Sequence, residues 1–352
     1  MVSANVKYPT DSGLLAHAVS RIGRLVIRIR TAGGAPRTVF RDRSRAAGGR
    51  VRAIASKLRL RGAAAGEQAQ AVVARLTSEL AGLGECSAMD AAVVLGNARR
   101  ALVTATGRVK GRLRRAVNEL TALVERTRFV VAQTRRRLAG ERVAAGSKLV
   151  SLHDTDARVI TKGRLGRPVE FGYQAQVLDN EDGIVLDYQL NAGRRPATGP
   201  AIRRITHRTG GPPGAVAADR GYGEATVERD LHALGVKTVA IPRKGKPGTA
   251  RREHERRPGF RKLVTWRTGA EGRISHLKHA YGWDRSGLDG RARTSTWCGH
   301  GILDRWRRGH RTDLSDSSRS EAIDLLPGRT SATASTAVQI GTTVRHTDVG
   351  TP

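Results

Sequence analysis

Trp266-Arg267-Thr-Gly-Ala-Glu271-Gly-Arg-Ile-Ser-His-Leu-Lys278 reads as one helix with two different faces. At about 100° per residue, Arg267, Glu271 and Lys278 fall within roughly 40° of one another. Trp266, Ala270, Ile274, Leu277 and Tyr281 occupy a separate arc about 80° wide. One face packs, and the other projects a carboxylate flanked by two cations. Earlier in the chain, Ala215-Val-Ala-Ala-Asp219-Arg-Gly-Tyr222 ends a short apolar strand in a carboxylate. In a chain poor in acids, this combination points to a metal and phosphate site.

The poverty in acids is pronounced. Of 352 residues, 63 are Lys or Arg against 31 Asp or Glu, a formal charge of +32. Such a field attracts polyanions and opposes compaction unless a polyanion neutralises it. Nucleic acid is the natural partner, with strongly salt-dependent binding. An Arg- and Ala-rich coding bias accounts for part of the excess whatever the function. Aromatics are only 4%, which favours a duplex binder gripping phosphates over a binder that stacks single-stranded bases. Cys86 and Cys298 lie far apart and form no metal or disulfide framework, in keeping with a reducing cytoplasm. No apolar run approaches the roughly 20 residues of a membrane span, and no signal-peptide core is visible.

Three zones separate along the chain. After Tyr8-Pro-Thr-Asp-Ser12, a capping-type phrase, residues 13–147 read as a basic helical region with Pro36 as its one proline. Leu15, Val19, Ile22, Val26 and Ile29 mark one helix. Leu113, Val117, Leu120, Val124, Thr127, Val131, Thr134 and Leu138 form a coiled-coil-like seam with Arg-rich flanks. Residues 148–303 are mixed α/β. Phe171–Val177 and Gly183–Leu190 alternate as strands around the turn phrase Asp179-Asn-Glu-Asp-Gly183. A helix over 198–209, the strand ending at Asp219, a helix from Glu224 and a strand at Val236–Ile241 follow. Then come the basic loop Pro242-Arg243-Lys244-Gly-Lys246-Pro247 and the Glu271 helix. Hairpin, strand, helix, strand, helix is the order of an RNase H-like core without its first strand. From 304 to 352 apolar periodicity stops, and the Ser, Thr and Ala content predicts a disordered tail.

Together these phrases resemble the bacterial insertion-sequence transposases of the DDE class. Arg267-x3-Glu271-x6-Lys278 matches that group's Tyr-x2-Arg-x3-Glu-x6-Lys motif, with Val264 in the Tyr position. Tyr8–Leu14, Ser151-Leu-His-Asp-Thr-Asp-Ala157, Val169-Glu-Phe-Gly-Tyr173 and Gly282-Trp-Asp-Arg-Ser286 are similar to an ISNCY-like subgroup. The resemblance spans roughly residues 2–303 in order. It implies an RNase H-like core interrupted by a large all-α insertion, and metal-dependent cleavage and transfer of DNA strands. It also implies double-stranded DNA (transposon ends and target) as partner, homo-oligomers and a nucleoid-associated location.

The chemistry accounts for the residue types. In-line displacement at a phosphodiester uses two Mg²⁺ ions, replaceable by Mn²⁺, held by three carboxylates. The resemblance makes Asp219 the second acid and Glu271 the third, with Arg267 and Lys278 on DNA phosphates. Arg243, Lys244 and Lys246 add a basic loop for DNA. The plain structural alternatives are an i−4 ion pair of Arg267 with Glu271, worth roughly 0.2–0.5 kcal/mol, and a turn acceptor at Asp219. Relatives carry the first acid in an Asp-x-Thr strand just upstream of the segment matching Val2–Pro9, where this sequence has only Met1. Asp154 and Asp156 are the nearest substitutes. The loop after Leu190, Asn191-Ala-Gly-Arg-Arg195-Pro-Ala-Thr198, departs from the Gly-Asn-x-x-Asp phrase of relatives, and Asp304-Arg-Trp-Arg-Arg308 replaces their last helix. The expectation is a transposase copy without turnover; the competing expectation is a non-catalytic DNA-binding remnant that blocks full-length enzyme.

Overall fold

The computed structural model describes residues 2–3, 10–59, 66–164, 167–193, 195–313 and 337–342. The chain divides into two compact units, Val6–Arg158 and Met1–Asn5 with Val159–Pro352.

The first unit is helical: α1 (Asp11–Thr31), α2 (Ser44–Leu58), α3 (Glu67–Thr104) and α4 (Gly107–Leu138). Thr10 caps α1, its hydroxyl accepting from the Gly13 amide at 3.0 Å. Leu15, Val19, Ile22, Val26 and Ile29 are all buried, the stripe expected of a helix lying on a core. Only Ala105 and Thr106 separate α3 from α4, so the two helices fold back along each other. Leu113, Val117, Leu120, Val124, Thr127, Val131 and Thr134 of α4 are buried in the same core. Leu138, expected on that seam, is the last residue of the helix and is exposed. Asp11 is buried at the positive end of α1. It accepts from Gln133 Nε2 at 2.9 Å and pairs with Arg137, while Gln133 Oε1 accepts from the Leu149 amide at 2.9 Å. The start of α1, the end of α4 and the segment at Leu149 are thereby fastened together.

The second unit is a sheet with helices on both sides. Its elements are β1 (Val2–Ser3), β2 (Arg158–Arg164), β3 (Arg167–Asp179), β4 (Val185–Ala192), α5 (Thr198–Thr209), β5 (Ala215–Ala218) and α6 (Ala225–Ala233). They continue as β6 (Thr238–Ala240), α7 (Thr249–Arg256), α8 (Pro258–Ala280), α9 (Arg291–Asp313) and β7 (Ala337–Thr342). β3 and β4 form an antiparallel hairpin whose turn is set by Asn180 Oδ1, accepting from the Ile184 amide at 2.9 Å, and by Gly183 at φ +73°. Across the sheet the order is β4, β3, β7, β5, β6. β7 is antiparallel to β3, with Ile340 opposite Leu178, and parallel to β5, with Ile340 beside Ala218. β1 lies on the same edge of β3 as β7, further along, with Val2 opposite Tyr173.

Two expectations change here. The region beyond 304 is not a structureless tail throughout: α9 continues to Asp313, and Ala337–Thr342 is a strand. Between β3 and β5 the described sheet is continuous, because β7 lies there. The physical reason is that β3 and β5 would otherwise each leave a row of backbone donors and acceptors unpaired. The residues 314–336 and 343–352, also read as disordered, lie outside the described residues.

Alternation along β5 and β7 sorts the two faces. Val216, Ala218, Val338 and Ile340 join Leu178, Ile202, Ile205 and Leu231 in a core under α5 and α6. Ala217 and Ala240 face the other way, onto Phe260, Leu263, Val264 and Trp266 of α8. α9 is anchored beside β4, where Tyr188 Oη donates to the Ser295 carbonyl at 3.0 Å. Trp283, wholly buried, donates to the Cys298 carbonyl at 3.1 Å, so the Gly282–Ser286 phrase is structural. Burial pushes the Cys298 thiol up to about 12, which leaves it unreactive at neutral pH. Among the described residues no helix is long and apolar enough to cross a membrane.

Candidate functional site

Asp219 follows β5 in extended conformation, with φ −69° and ψ 160°. Alternation gives it the side of Ala217, which is the α8 side. The four residues Asp219-Arg-Gly-Tyr222 each have a task. The Asp219 carboxylate accepts from Arg195 Nη1 at 3.1 Å. Arg220 donates to the carbonyls of Arg243, at 3.1 Å, and Gly245, at 2.5 Å, holding the basic loop against the strand end. Gly221 leaves room for the Arg195 guanidinium, which a Cβ there would push aside, standing 1.2 Å from Nη1. Tyr222 offers its ring to Arg195, 5.7 Å away, and its hydroxyl accepts from buried Gln176 Nε2 at 2.9 Å.

Glu271 sits on α8, whose course over the sheet is fixed at two points. Phe260 rests on Ala217 and Ala240 of β5 and β6. Further along, Arg273 Nε bonds to Asp179 at the end of β3. The helix therefore crosses β5 and β7, and both pack against it. Ala270, Ile274 and Leu277 are its buried face. Relative to Ala270, Arg267, Lys278 and Glu271 lie about 60°, 80° and 100° to one side, and Arg273 about 60° to the other. Arg273's flank meets Asp179, which lies opposite Gln339. Glu271's flank is thus turned toward the strand ends that carry Asp219 and Gly341. Arg267 Nη2 donates to Glu271 Oε1 at 3.2 Å, with the Glu271 side chain 42% exposed and that of Arg267 12%. Lys278 is half-buried on the same flank.

The remaining candidates go elsewhere. Asp154 belongs to the helical unit, buried in a turn where it accepts from the Ala157 amide at 3.2 Å and its own amide donates to Ser151 Oγ at 3.0 Å. Asp156 is exposed in the same turn. Arg243, expected to contact DNA, is committed to Glu228 at 2.8 Å. Its backbone amide donates to Glu255, and Arg251 bonds to both Glu228 and Glu255, so this is a clamp joining the loop to α6 and α7. Lys244 pairs with Glu224, and Lys246 is exposed. Among the described residues no group of three His, Cys, Asp or Glu is placed to hold a metal ion.

Two residues escaped the sequence reading. Asp179, taken as a turn residue, is buried under Arg273, and desolvation raises its carboxyl to about 6 against the pull of Arg273 and Arg305. It follows Leu178 at a register shift in the β3–β4 pairing and is buried along with Gln176, Val177 and Leu178. Arg195 had no signal in the sequence, because a loop cation finds its carboxylate only through tertiary placement.

No family model, curated protein or solved structure matches this chain.

Proposed function

We propose that the chain is a transposase-type protein that binds duplex DNA through its phosphates and, in this form, does not cut it. The sheet order supports an RNase H-like reading: a hairpin, a central strand antiparallel to it, two parallel strands, and an acid-bearing helix across one face. A charge of +32 supports the polyanion partner. The observation that carries the reading is that both candidate carboxylates already have cations, Arg195 on Asp219 and Arg267 on Glu271. A pair of Mg²⁺ ions calls for three carboxylates free to bind them. Two acids, each held by a guanidinium, do not fit that group. Arg267 fits a phosphate instead, because a fork of N–H donors matches its oxygens.

The chain's own residues then have these roles. Arg267 and Lys278 meet the backbone of the duplex, Lys246 extends the contact, and Arg195 balances Asp219 whether or not DNA is present. Fluorescence anisotropy with duplexes of unrelated sequence tests this. Affinity should be similar among them and fall by orders of magnitude between about 50 and 200 mM salt. Salt-independent binding, or Mg²⁺-dependent nicking that Asp219→Asn abolishes, would overturn it.

A further inference from the structure

Two histidines, 136 residues apart in sequence, meet at the surface of the helical unit. His17 Nε2 lies 3.1 Å from His153 Nε2, with the ring planes inclined at 65° and the centroids 5.3 Å apart. His17 is on α1, where Leu15, Ala18 and Val19 around it are buried in the core. His153 is placed by its neighbours. Leu152 and Asp154 are both buried, and the Leu152 carbonyl accepts from Arg126 Nη1 at 2.6 Å. Ser151 Oγ accepts from the amides of His153, at 3.2 Å, and Asp154, at 3.0 Å. Packing therefore fixes the backbone under each imidazole, while both rings are exposed. Arg21, one turn on from His17, puts Nη1 at 3.2 Å from His153 Nδ1 and 3.1 Å from its Nε2. Its charge is met by Glu119 at 2.5 Å.

We propose that His17 and His153 are the two protein ligands of a site for a divalent transition ion of the Zn²⁺ class, which ties α1 to the segment before β2. In the contact as it stands, one Nε2 donates a proton that the other accepts. The ion takes that proton's place, and the proton settles on Nδ1 of its own ring. The spacing suits the exchange. Two nitrogens, each about 2.0–2.1 Å from one ion, lie about 2.9 Å apart at a right angle and about 3.3 Å apart at the tetrahedral angle. The observed 3.1 Å falls between these values. The nitrogens face each other, and a turn of each exposed ring about its side-chain bonds aims both lone pairs at one point. Water fills the remaining positions. Burial, and then the charges of His153, Arg21 and Arg24, hold the His17 imidazole below its ordinary range, so it is neutral at pH 7 and able to ligate. Glu119 offsets Arg21, and Arg24 is exposed and screened by salt, which limits their repulsion of the ion. Imidazole suits Zn²⁺, Ni²⁺ and Cu²⁺, whereas Mg²⁺ and Ca²⁺ take oxygen ligands. The site uses neither Asp219 nor Glu271, and it stands whether or not the chain binds DNA.

The test is Zn²⁺ binding to the full chain without DNA, in competition with a fluorescent chelator. The parent should hold one Zn²⁺ that His17→Gln and His153→Gln each weaken at least about ten-fold, the scale on which even the outer partners of a ligand count. The double variant should be little weaker than either single one, because loss of one arm already leaves a lone imidazole. His279→Gln, at an exposed histidine of the sheet unit, should change nothing, and Mg²⁺ should not compete. Nitrogen-15 spectra of the parent give a second reading: one equivalent of Zn²⁺ should move the Nε2 signals of two histidines together. Equal affinity in the parent and the double variant overturns the inference, and so does an equal loss in His279→Gln. If a glutamine variant loses protection of its α1 amides, the parent's spectrum decides, and the absence of a shifting histidine pair at one equivalent overturns the inference.

Discussion

The helical unit and the sheet unit are built from the same chain by opposite routes. In the helical unit, consecutive helices pack on one another, and each contributes a stripe repeating every three to four residues: Leu15 to Ile29 on α1, Leu113 to Thr134 on α4. In the sheet unit the central strand comes from the far end of the sequence. Val338 and Ile340 lock together β3 and β5, elements more than a hundred residues earlier. A core made of local stripes degrades by degrees when one contact is lost. A core threaded by one distant strand should fail as a whole, because among the described residues β3 and β5 share no other neighbour between them.

The sharpest test of that contrast is Ile340→Asp. A carboxylate in place of a fully buried side chain between Leu178 and Ala218 should cost more than about 4 kcal/mol. Hydrogen exchange should find β3, β5 and β6 amides unprotected together. If only residues 337–342 lose protection, β7 is an ornament and the contrast collapses. A milder effect is expected from Leu120→Ala in the middle of α4, where Leu120 is 0% exposed. It should cost about 2–5 kcal/mol in chemical denaturation, with lost protection concentrated in α1, α3 and α4. Equal loss in the sheet amides would mean the two units unfold as one and are not separate cores.

The smallest effect belongs to Asp179 and is read through pH. Its carboxyl is raised from 3.8 to about 6 in the folded protein by burial. The folded state therefore keeps a proton that the unfolded chain has released. Stability should be highest below the unfolded value and fall as pH rises through about 6, by on the order of 2–3 kcal/mol. Asp179→Asn should flatten this dependence in denaturation curves compared at about pH 4 and about pH 7. An unchanged slope would show that Arg273 and Arg305 cancel the cost of burial.

What the sequence disclosed follows from the same contrast. The helical stripes were legible because burial on one face of a helix writes itself into adjacent turns. The hairpin was legible because Asn180 and Gly183 are residues that a tight turn demands. Asp219 and Glu271 stood out as isolated acids at a strand end and on a helix flank. β7 was not legible. Six residues with only Val338 and Ile340 as bulk, set among Ser, Thr and Ala, carry no signal until β3 and β5 give them two edges to pair with. The pairing of Arg195 with Asp219 was hidden for a similar reason, since its two partners lie in separate loops and meet only through the sheet. Arg243 shows the same limit: a cation in a basic loop gives no sign in sequence of the ion pair it makes with Glu228.

The collinear arrangement of β1 and β7 carries one more consequence. Thr342 lies opposite Gln176 and Val2 opposite Tyr173, on the same edge of β3 and running the same way. Only the places opposite Ala175 and Gln174 separate them, a gap of about 10 Å at strand spacing. A peptide of two residues joining Thr342 to Val2 would thus make a single unbroken strand. β1 and β7 therefore serve β3 as two segments of one interrupted strand, so that a single edge is covered by residues from opposite ends of the described sequence.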